Sequence, residues 1–261
     1  MKKNHPFVAR NRIRLASGLF ALAVGASVHA ETPESWWVDV INDRVPNVRE
    51  ELARGTDPNI VDNEGLPTLM LAIRSGAWGV YDALVAHRRV DINAENKHGE
   101  TALMYLALLG ETDRASALIK RGAEVNRLGW TPLHYAASRG HTDTARMLVR
   151  QGALVHAPAP DGTTPLMMAA FSGNRDTVQL LLDQGADATA INLNKHTAAD
   201  WARERGHTRL AEELQAVAER TLAQREGRAS APAPATVTPS KRESSGSGSK
   251  YFDLDRFERQ D

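Results

Sequence analysis

Residues 129–140 read GWTPLHYAASRG, and this stretch contains the signals for both ends of a short helix. The Thr131 hydroxyl is suited to cap a helix, and Pro132 suits the first helical position because its missing N–H is not needed there. The apolar residues that follow share one helical face: Leu133, Ala136 and Ala137. Gly140 permits the turn that ends the helix, since glycine carries no Cβ. The stretch therefore predicts a short amphipathic helix.

A second helix is predicted directly after this one. Its inward positions are Ala145, Leu148 and Val149. Gly152 stands where a left-handed residue commonly ends a helix, and a proline-containing loop then leads to Gly162. A single pair of such helices cannot bury its own apolar face, so neighbouring pairs must stack to form a core.

The same text recurs along the chain at a nearly constant period. Residues 65–76, 99–110 and 162–173 read GLPTLMLAIRSG, GETALMYLALLG and GTTPLMMAAFSG. The glycines at the ends of the four quoted stretches and a fifth glycine in the same register are 34, 30, 33 and 33 residues apart: Gly76, Gly110, Gly140, Gly173 and Gly206. A period of this length is typical of helical repeat arrays.

Residues 131–136 match the signature T-P-L-H-x-A, which recurs near every 33 residues in one family. The chain therefore resembles ankyrin-repeat proteins of the exported bacterial type, over roughly residues 36–220. The resemblance implies an all-α solenoid of about six helix pairs within residues 31–222. It also implies a monomer that binds an unidentified protein partner through its concave face. We assign the pairs in order to 36–63, 64–97, 98–127, 128–160, 161–193 and 194–222.

Three departures from the repeat pattern affect local structure. The stretch from Gly122 to Gly129 is three residues shorter than the equivalent stretch from Gly152 to Gly162, so the loop before Trp130 is predicted to be truncated. Residues 67–68 read Pro-Thr instead of Thr-Pro, which puts the cap of that helix in doubt. Residues 88–89 are Arg-Arg where other repeats have Gly-Ala, and a less regular connection is expected there.

The N-terminal residues have the order of a secretory signal. Residues 1–14 are basic, residues 15–28 are apolar or small, and residues 28–30 (Val-His-Ala) resemble a cleavage site. The apolar run of about 14 residues is shorter than the ~20 needed to span a bilayer as a helix. The sequence thus predicts a cleavable signal at 1–30 and a soluble periplasmic protein in a Gram-negative bacterium. The alternative is an uncleaved membrane anchor.

Composition excludes several classes of function. The chain has 32 basic and 32 acidic residues, but five basic and no acidic ones lie in residues 1–30, so the remainder carries a net charge of −5. A mildly acidic surface argues against a nucleic-acid partner. Cysteine is absent, which excludes disulfides, thiolate catalysis, cysteine zinc sites and lipid attachment at cysteine. The hydrophobic fraction is 42% and the aromatic fraction 5%, which predicts an aliphatic core.

The chain contains none of the motifs H-E-x-x-H, G-x-x-x-x-G-K-[ST] or G-x-S-x-G. His134 occupies the histidine position of the repeat signature, where the resemblance implies a structural bond to a neighbouring loop. We therefore predict no enzymatic activity, no cofactor and no metal. Two alternatives stay open, namely a catalytic or small-ligand site hidden between repeats and an effector that acts outside the cell.

Residues 223–261 are predicted to form a flexible, low-complexity tail with several prolines and the run SSGSGS. Residues 251–261 read YFDLDRFERQD and place apolar bulk between charges. This end is interpreted either as an untied terminus, as a recognition segment on a tether, or as a strip that folds back onto the repeats.

The resemblance also implies which positions contact a partner. They follow each loop glycine or precede each helix-turn glycine: Leu66, Arg74, Glu100, Leu108, Leu109, Trp130, Ser138, Arg139, Thr163, Phe171 and His196. The large apolar members on neighbouring repeats are expected to form an exposed binding patch, with Trp130 and Arg139 as its energetic centre. The alternative is that the truncated loop lets Trp130 fold into the core.

Overall fold

The computed structural model describes residues 35–229 of the chain. The predicted signal at 1–30 and residues 230–261 of the predicted tail lie outside the described residues. Within the described range, twelve α-helices form six consecutive pairs, and the β-structure there consists of two isolated bridges. The predicted all-α fold of six helix pairs is confirmed. No helix between residues 35 and 229 is both long and apolar enough to cross a membrane.

The helices belong to two compact units, which within the described residues comprise 35–126 and 127–229. The first unit contains α1 (Trp36–Ile41), α2 (Val45–Arg54), α3 (Thr68–Arg74), α4 (Trp78–Ala86), α5 (Ala102–Leu109) and α6 (Thr112–Lys120). The second contains α7 (Pro132–Ser138), α8 (Thr142–Arg150), α9 (Pro165–Ser172), α10 (Arg175–Asp183), α11 (Ala198–Glu204) and α12 (Thr208–Ala229). In each pair the first helix, here called the inner helix, is short. The second, outer helix follows after a glycine turn in five of the six described pairs, whereas Asp43 takes the left-handed position with φ +54° in the first pair.

Helices α9 and α11 of the second unit begin at threonine caps, at the position equivalent to Thr131 of α7. The Thr164 hydroxyl accepts a hydrogen bond from the N–H of Met167 at 3.3 Å, and the Thr197 hydroxyl accepts one from the N–H of Asp200 at 3.2 Å. The Asp200 carboxylate accepts a bond from the Thr197 N–H in return, at 2.9 Å. These reciprocal bonds satisfy donors that the first turn of a helix leaves unpaired.

The inverted Pro-Thr pair removes this cap from α3, as its sequence suggested. Pro67 is the N-cap residue and makes no side-chain cap bond. The Thr68 hydroxyl, now inside the helix, donates instead to the Ile60 carbonyl at 2.9 Å and accepts from the Trp36 indole N–H at 3.3 Å. The swap therefore exchanges a local cap for a bond to the preceding helix pair.

Side-chain hydrogen bonds to a loop distant in sequence stabilise the irregular connection at residues 88–89. Helix α4 ends in an extended residue at His87, without the glycine turn found elsewhere. The Arg89 guanidinium donates to the carbonyls of Gly55 and Thr56 at 3.2 and 3.1 Å. Arg89 therefore joins this irregular loop to the loop that ends α2.

The core of the second unit is aliphatic, as the composition predicted. Leucines and alanines of α7, α8 and α9 have no measurable exposure: Leu133, Ala136, Ala137, Ala145, Leu148, Ala169 and Ala170. Alanine pairs on the inner helices let neighbouring helices approach closely, and α9 packs against both α7 and α11. This close packing supplies the buried surface that one helix pair lacks on its own.

Candidate protein-binding surface

Three inner helices of the second unit present large side chains at equivalent positions. Tyr135, Met168 and Trp201 stand four residues after the threonine cap of α7, α9 and α11, and each is half-buried. Phe171 lies one turn further along α9, and Trp130 precedes α7. We call these five residues the aromatic face.

Trp130 lies at the rim of this surface and is not part of the core. Its side chain remains 37% exposed, and its ring meets the His134 ring edge-on at 5.3 Å. Trp130, His134, Tyr135, Ser138 and Met168 line a shallow pocket of about 200 Å³. The alternative in which the truncated loop buries Trp130 in the core is therefore wrong, because the ring lies in the wall of this surface pocket.

The opposite end of the aromatic face carries positive charge. Phe171 and Trp201 meet edge-on at 5.6 Å, and the Arg205 guanidinium lies 4.4 Å above the Phe171 ring. The His196 ring contacts Trp201 at 6.2 Å, and its Nδ1 lies 3.3 Å from the Glu204 carboxylate. Stacking of a guanidinium on an aromatic face keeps both groups ordered at the surface.

His134 has the structural role that its repeat position implied. It is 1% exposed, and its Nδ1 accepts a bond from the Thr131 N–H at 3.1 Å. The proton therefore sits on Nε2, which donates to the Thr163 carbonyl at 3.1 Å. Burial lowers the pKa of His134 to about 4, so the imidazole is neutral near pH 7 and joins two neighbouring loops.

Two residues predicted to contact a partner are buried instead. Leu66 is 4% exposed and Thr163 is 0% exposed. The Thr163 hydroxyl donates to the Asp161 carboxylate at 2.8 Å, which turns the side chain into its own loop. The Leu66 N–H donates to Asp62 at 2.8 Å, which fixes the equivalent loop of the first unit. The position after the loop glycine therefore holds the loop together in these two repeats.

The remaining predicted positions of the first unit lie nearer to solvent. Leu109 is 49% exposed at the end of α5, and Leu108 is half-buried. Arg74 is exposed and lies 3.3 Å from the Glu64 carboxylate. Glu100 is half-buried and accepts a bond from the Asn96 amide at 2.7 Å. Leu108 and Leu109 thus belong to the first unit, whereas Trp130 and Phe171 belong to the second.

In the second unit, Ser138 and Arg139 border the pocket end of the aromatic face. The Ser138 hydroxyl donates to the Tyr135 carbonyl at 2.8 Å, so it is held against its own helix. Arg139 is exposed at the end of α7. The predictions missed Tyr135, Met168 and Trp201. Tyr135 and Met168 lie one helical turn before the predicted positions Ser138 and Phe171, and Trp201 has the equivalent place on α11.

Acidic residues and histidines do not converge in the described part of the molecule. Between residues 35 and 229, no group of three or more is placed to hold a metal ion. The strongest pKa shift of a histidine described here belongs to His134, whose ring nitrogens are both used in loop bonds.

These features define a helical-repeat protein with an exposed aromatic surface. The family model described as Ankyrin repeats (3 copies) matches residues 40–128, 69–158, 126–192 and 154–222. The chain belongs to the ankyrin-repeat family. Members of this family are generally non-enzymatic modules for protein–protein interaction.

Similar proteins are known from several sources. A crystal structure of an ankyrin repeat domain from Acinetobacter baumannii AYE has a TM-score of 0.59 and 28% identity, and the match covers 70% of this chain and 97% of that one. The human transient receptor potential cation channel subfamily A member 1 is 27% identical over 85 residues. Alpha-latroinsectotoxin-Lt1a of Latrodectus tredecimguttatus is 38% identical over 72 residues. These matches cover 33% and 28% of this chain but only 8% and 5% of those much longer proteins.

Proposed function

We propose that the chain is a non-catalytic interaction module that binds a partner protein through its aromatic face. The observation that carries this proposal is the partial exposure of large aromatic and sulfur-containing side chains on three successive inner helices, with the more exposed Trp130 beside them. Tryptophan, tyrosine and arginine are the residues most often found at the energetic centre of protein interfaces. A flexible Met168 between rigid rings adapts its shape to a partner.

The charges around the aromatic face indicate the chemistry of that partner. Arg139 borders one end, and Arg205 stacks on Phe171 at the other. A segment with aromatic or aliphatic residues flanked by carboxylates would fill the pocket beside Trp130 and meet both guanidinium groups. We further propose that this encounter takes place in the periplasm, after export directed by residues 1–30.

Photocrosslinking tests the binding surface directly. A benzophenone amino acid at position 130 is expected to capture a protein in intact cells, because the native ring there lines the pocket. The matched control places the same probe at Leu222, an exposed leucine of α12 that is 48% exposed and lies outside the aromatic face. Capture at both positions alike would contradict a specific surface.

Affinity for the captured protein then measures the contribution of Trp130. Trp130→Ala is expected to weaken binding by about 2 kcal/mol, roughly 30-fold, which is the scale of an interface hot spot. Leu222→Ala should leave the Kd unchanged, and far-UV circular dichroism should show both variants folded. Equal affinity of Trp130→Ala and the parent chain in a calorimetric titration would rule out this site.

A further inference from the structure

A second surface lies between the outer helices α10 and α12. The two helices enclose a groove of about 470 Å³. Apolar side chains form its floor: Val178, Leu182, Leu210, Leu214 and Val217. Leu182 and Val217 are only half-buried, so part of this floor faces solvent. The volume lies within the range of cavities that hold a ligand or several side chains.

Two ion pairs join α12 to the preceding repeat. The Arg175 guanidinium on α10 lies 2.6 Å from the Glu213 carboxylate on α12, and both residues line the groove. Further along α12, Arg225 lies 2.9 Å from Asp187 and donates to the Thr189 hydroxyl at 2.8 Å. Helix α12 is therefore held to the preceding repeat at two separate points, and the floor residues Leu214 and Val217 lie between them in the chain.

The chain that follows α12 has the right length to reach the groove. The α12 residues that line it run from Leu210 to Arg220, which places them roughly 14 to 29 Å back along the helix from Ala229 at 1.5 Å per residue. Residues 230–250 are rich in Pro, Ser and Gly. A coil of 21 residues has an r.m.s. length of about 25 Å. Effective concentration is highest when tether length matches the span.

Residues 251–261 have the chemistry that suits the groove. Tyr251, Phe252, Leu254 and Phe257 supply apolar side chains, and four carboxylates are interspersed among them. On the rim, the Arg220 guanidinium bonds the Ala216 carbonyl of its own helix at 3.0 Å. Within residues 35–229 no carboxylate lies at ion-pair distance from Arg220. An apolar segment bearing acids would cover the floor and pair with this cation.

We propose that residues 251–261 bind in cis in the groove between α10 and α12. Leucine and phenylalanine side chains of the segment cover Leu182 and Val217, and a carboxylate meets Arg220. The segment then forms a cover on the outer helices of the last repeats, on helices other than those that carry the aromatic face. The binding is intramolecular because the tether begins at the end of the groove-lining helix itself.

Disulfide trapping in the full-length protein tests this proposal, and no native thiol competes with the introduced pair because the chain has no cysteine. Arg256→Cys is combined either with Ala216→Cys, which lines the groove, or with Gln215→Cys on another face of α12. Both helix positions are exposed, and they are neighbours in the chain, so the tether reaches them equally. At low protein concentration, the pair with position 216 is expected to form its intramolecular disulfide at least tenfold faster.

Adding Phe257→Asp to the 216–256 pair should reduce its rate to that of the 215–256 pair, because a carboxylate replaces an apolar anchor. Equal rates at positions 215 and 216 in the otherwise unaltered chain would overturn the proposal. Disulfides that join two molecules in preference to one would overturn the assignment in cis. A fast 216–256 reaction that survives Phe257→Asp would also overturn the apolar docking.

Discussion

At the residue scale, Gly140 and Gly173 show how much a turn depends on the next repeat. Both have left-handed φ angles, +68° and +74°, as the turn predicts. A Cβ on Gly140 would lie 2.6 Å from the Asn174 Cβ, and one on Gly173 would lie 2.4 Å from the His207 ring. The backbone requirement is visible in the sequence. The close packing of the following repeat against each glycine is visible only in the folded molecule.

His134 links folding to pH at the same scale. Its folded pKa of about 4 lies below the ordinary value of 6.5, since burial favours the neutral ring. Between about pH 4 and pH 6.5, the His134 imidazole is therefore protonated more readily in the unfolded chain than in the folded one. Its contribution to stability is complete above about pH 6.5 and is lost as the pH falls toward 4.

We expect acidification from pH 7 to pH 4.5 to lower the free energy of unfolding by about 2 kcal/mol through this residue. His134→Gln should be less stable than the parent at pH 7, yet should lose less stability over this pH range. Urea denaturation at both pH values measures the difference, and His98→Gln controls for the removal of an exposed imidazole. A pH dependence of stability that is the same in His134→Gln and the parent would contradict the prediction.

At the element scale, the end of α12 is decided by a contact across repeats. The sequence predicts that the repeats end and the tail begins after residue 222, but α12 continues to Ala229. In the last turns Arg225 bonds Asp187 and Thr189 in the loop after α10. This ion pair is roughly half exposed, so its effect on overall stability is small and its effect on the helix end is local.

Arg225→Ala is expected to speed amide hydrogen exchange in residues 222–229 by roughly fivefold, since about 1 kcal/mol of local stabilisation is lost. The global free energy of unfolding should change by less than about 1 kcal/mol. The neighbouring substitution Glu226→Ala serves as the matched control. If exchange in these amides is equal in Arg225→Ala and Glu226→Ala, the ion pair does not hold the helix end.

At the scale of the whole molecule, each unit is built from contacts between successive helix pairs. In the second unit α9 packs on α7 and on α11, and in the first α3 packs on α1 and on α5. Such nearest-neighbour packing makes stability a sum over repeats and their interfaces. The exposed residues are then free to serve recognition, because the core does not require them.

Export to the periplasm is a prediction about the full-length chain, so it is tested with that chain. An epitope tag within residues 240–248 should appear in the periplasmic fraction of a Gram-negative host, attached to a product shortened by the signal. Replacing Lys2, Lys3 and the three nearby arginines with acids should retain the tag in the cytoplasm. A tagged parent chain found in the cytoplasm at full length would contradict the proposed export.

The sequence alone was sufficient to predict the fold, because the repeat signature reports local requirements. A threonine cap, a proline at the first helical position and a glycine turn each act within a few residues, so they can be read in order. The six helix pairs followed from these signals, whereas the role of His134 was implied by the resemblance to ankyrin repeats. The irregular start of α3 also followed from the local signals, since its Pro-Thr inversion is local.

Exposure and contact between repeats were decided by tertiary structure. Leu66 and Thr163 occupy the same repeat position as Trp130, yet both are buried and the tryptophan is exposed. The Thr163 hydroxyl turns into its own loop and bonds Asp161, whereas the Trp130 indole lines a surface pocket. The extension of α12 and the groove beside α10 likewise depend on side chains that are far apart in sequence. The local sequence pattern determines which helices form, whereas the burial of each side chain depends on the residues of the neighbouring repeat that pack against it.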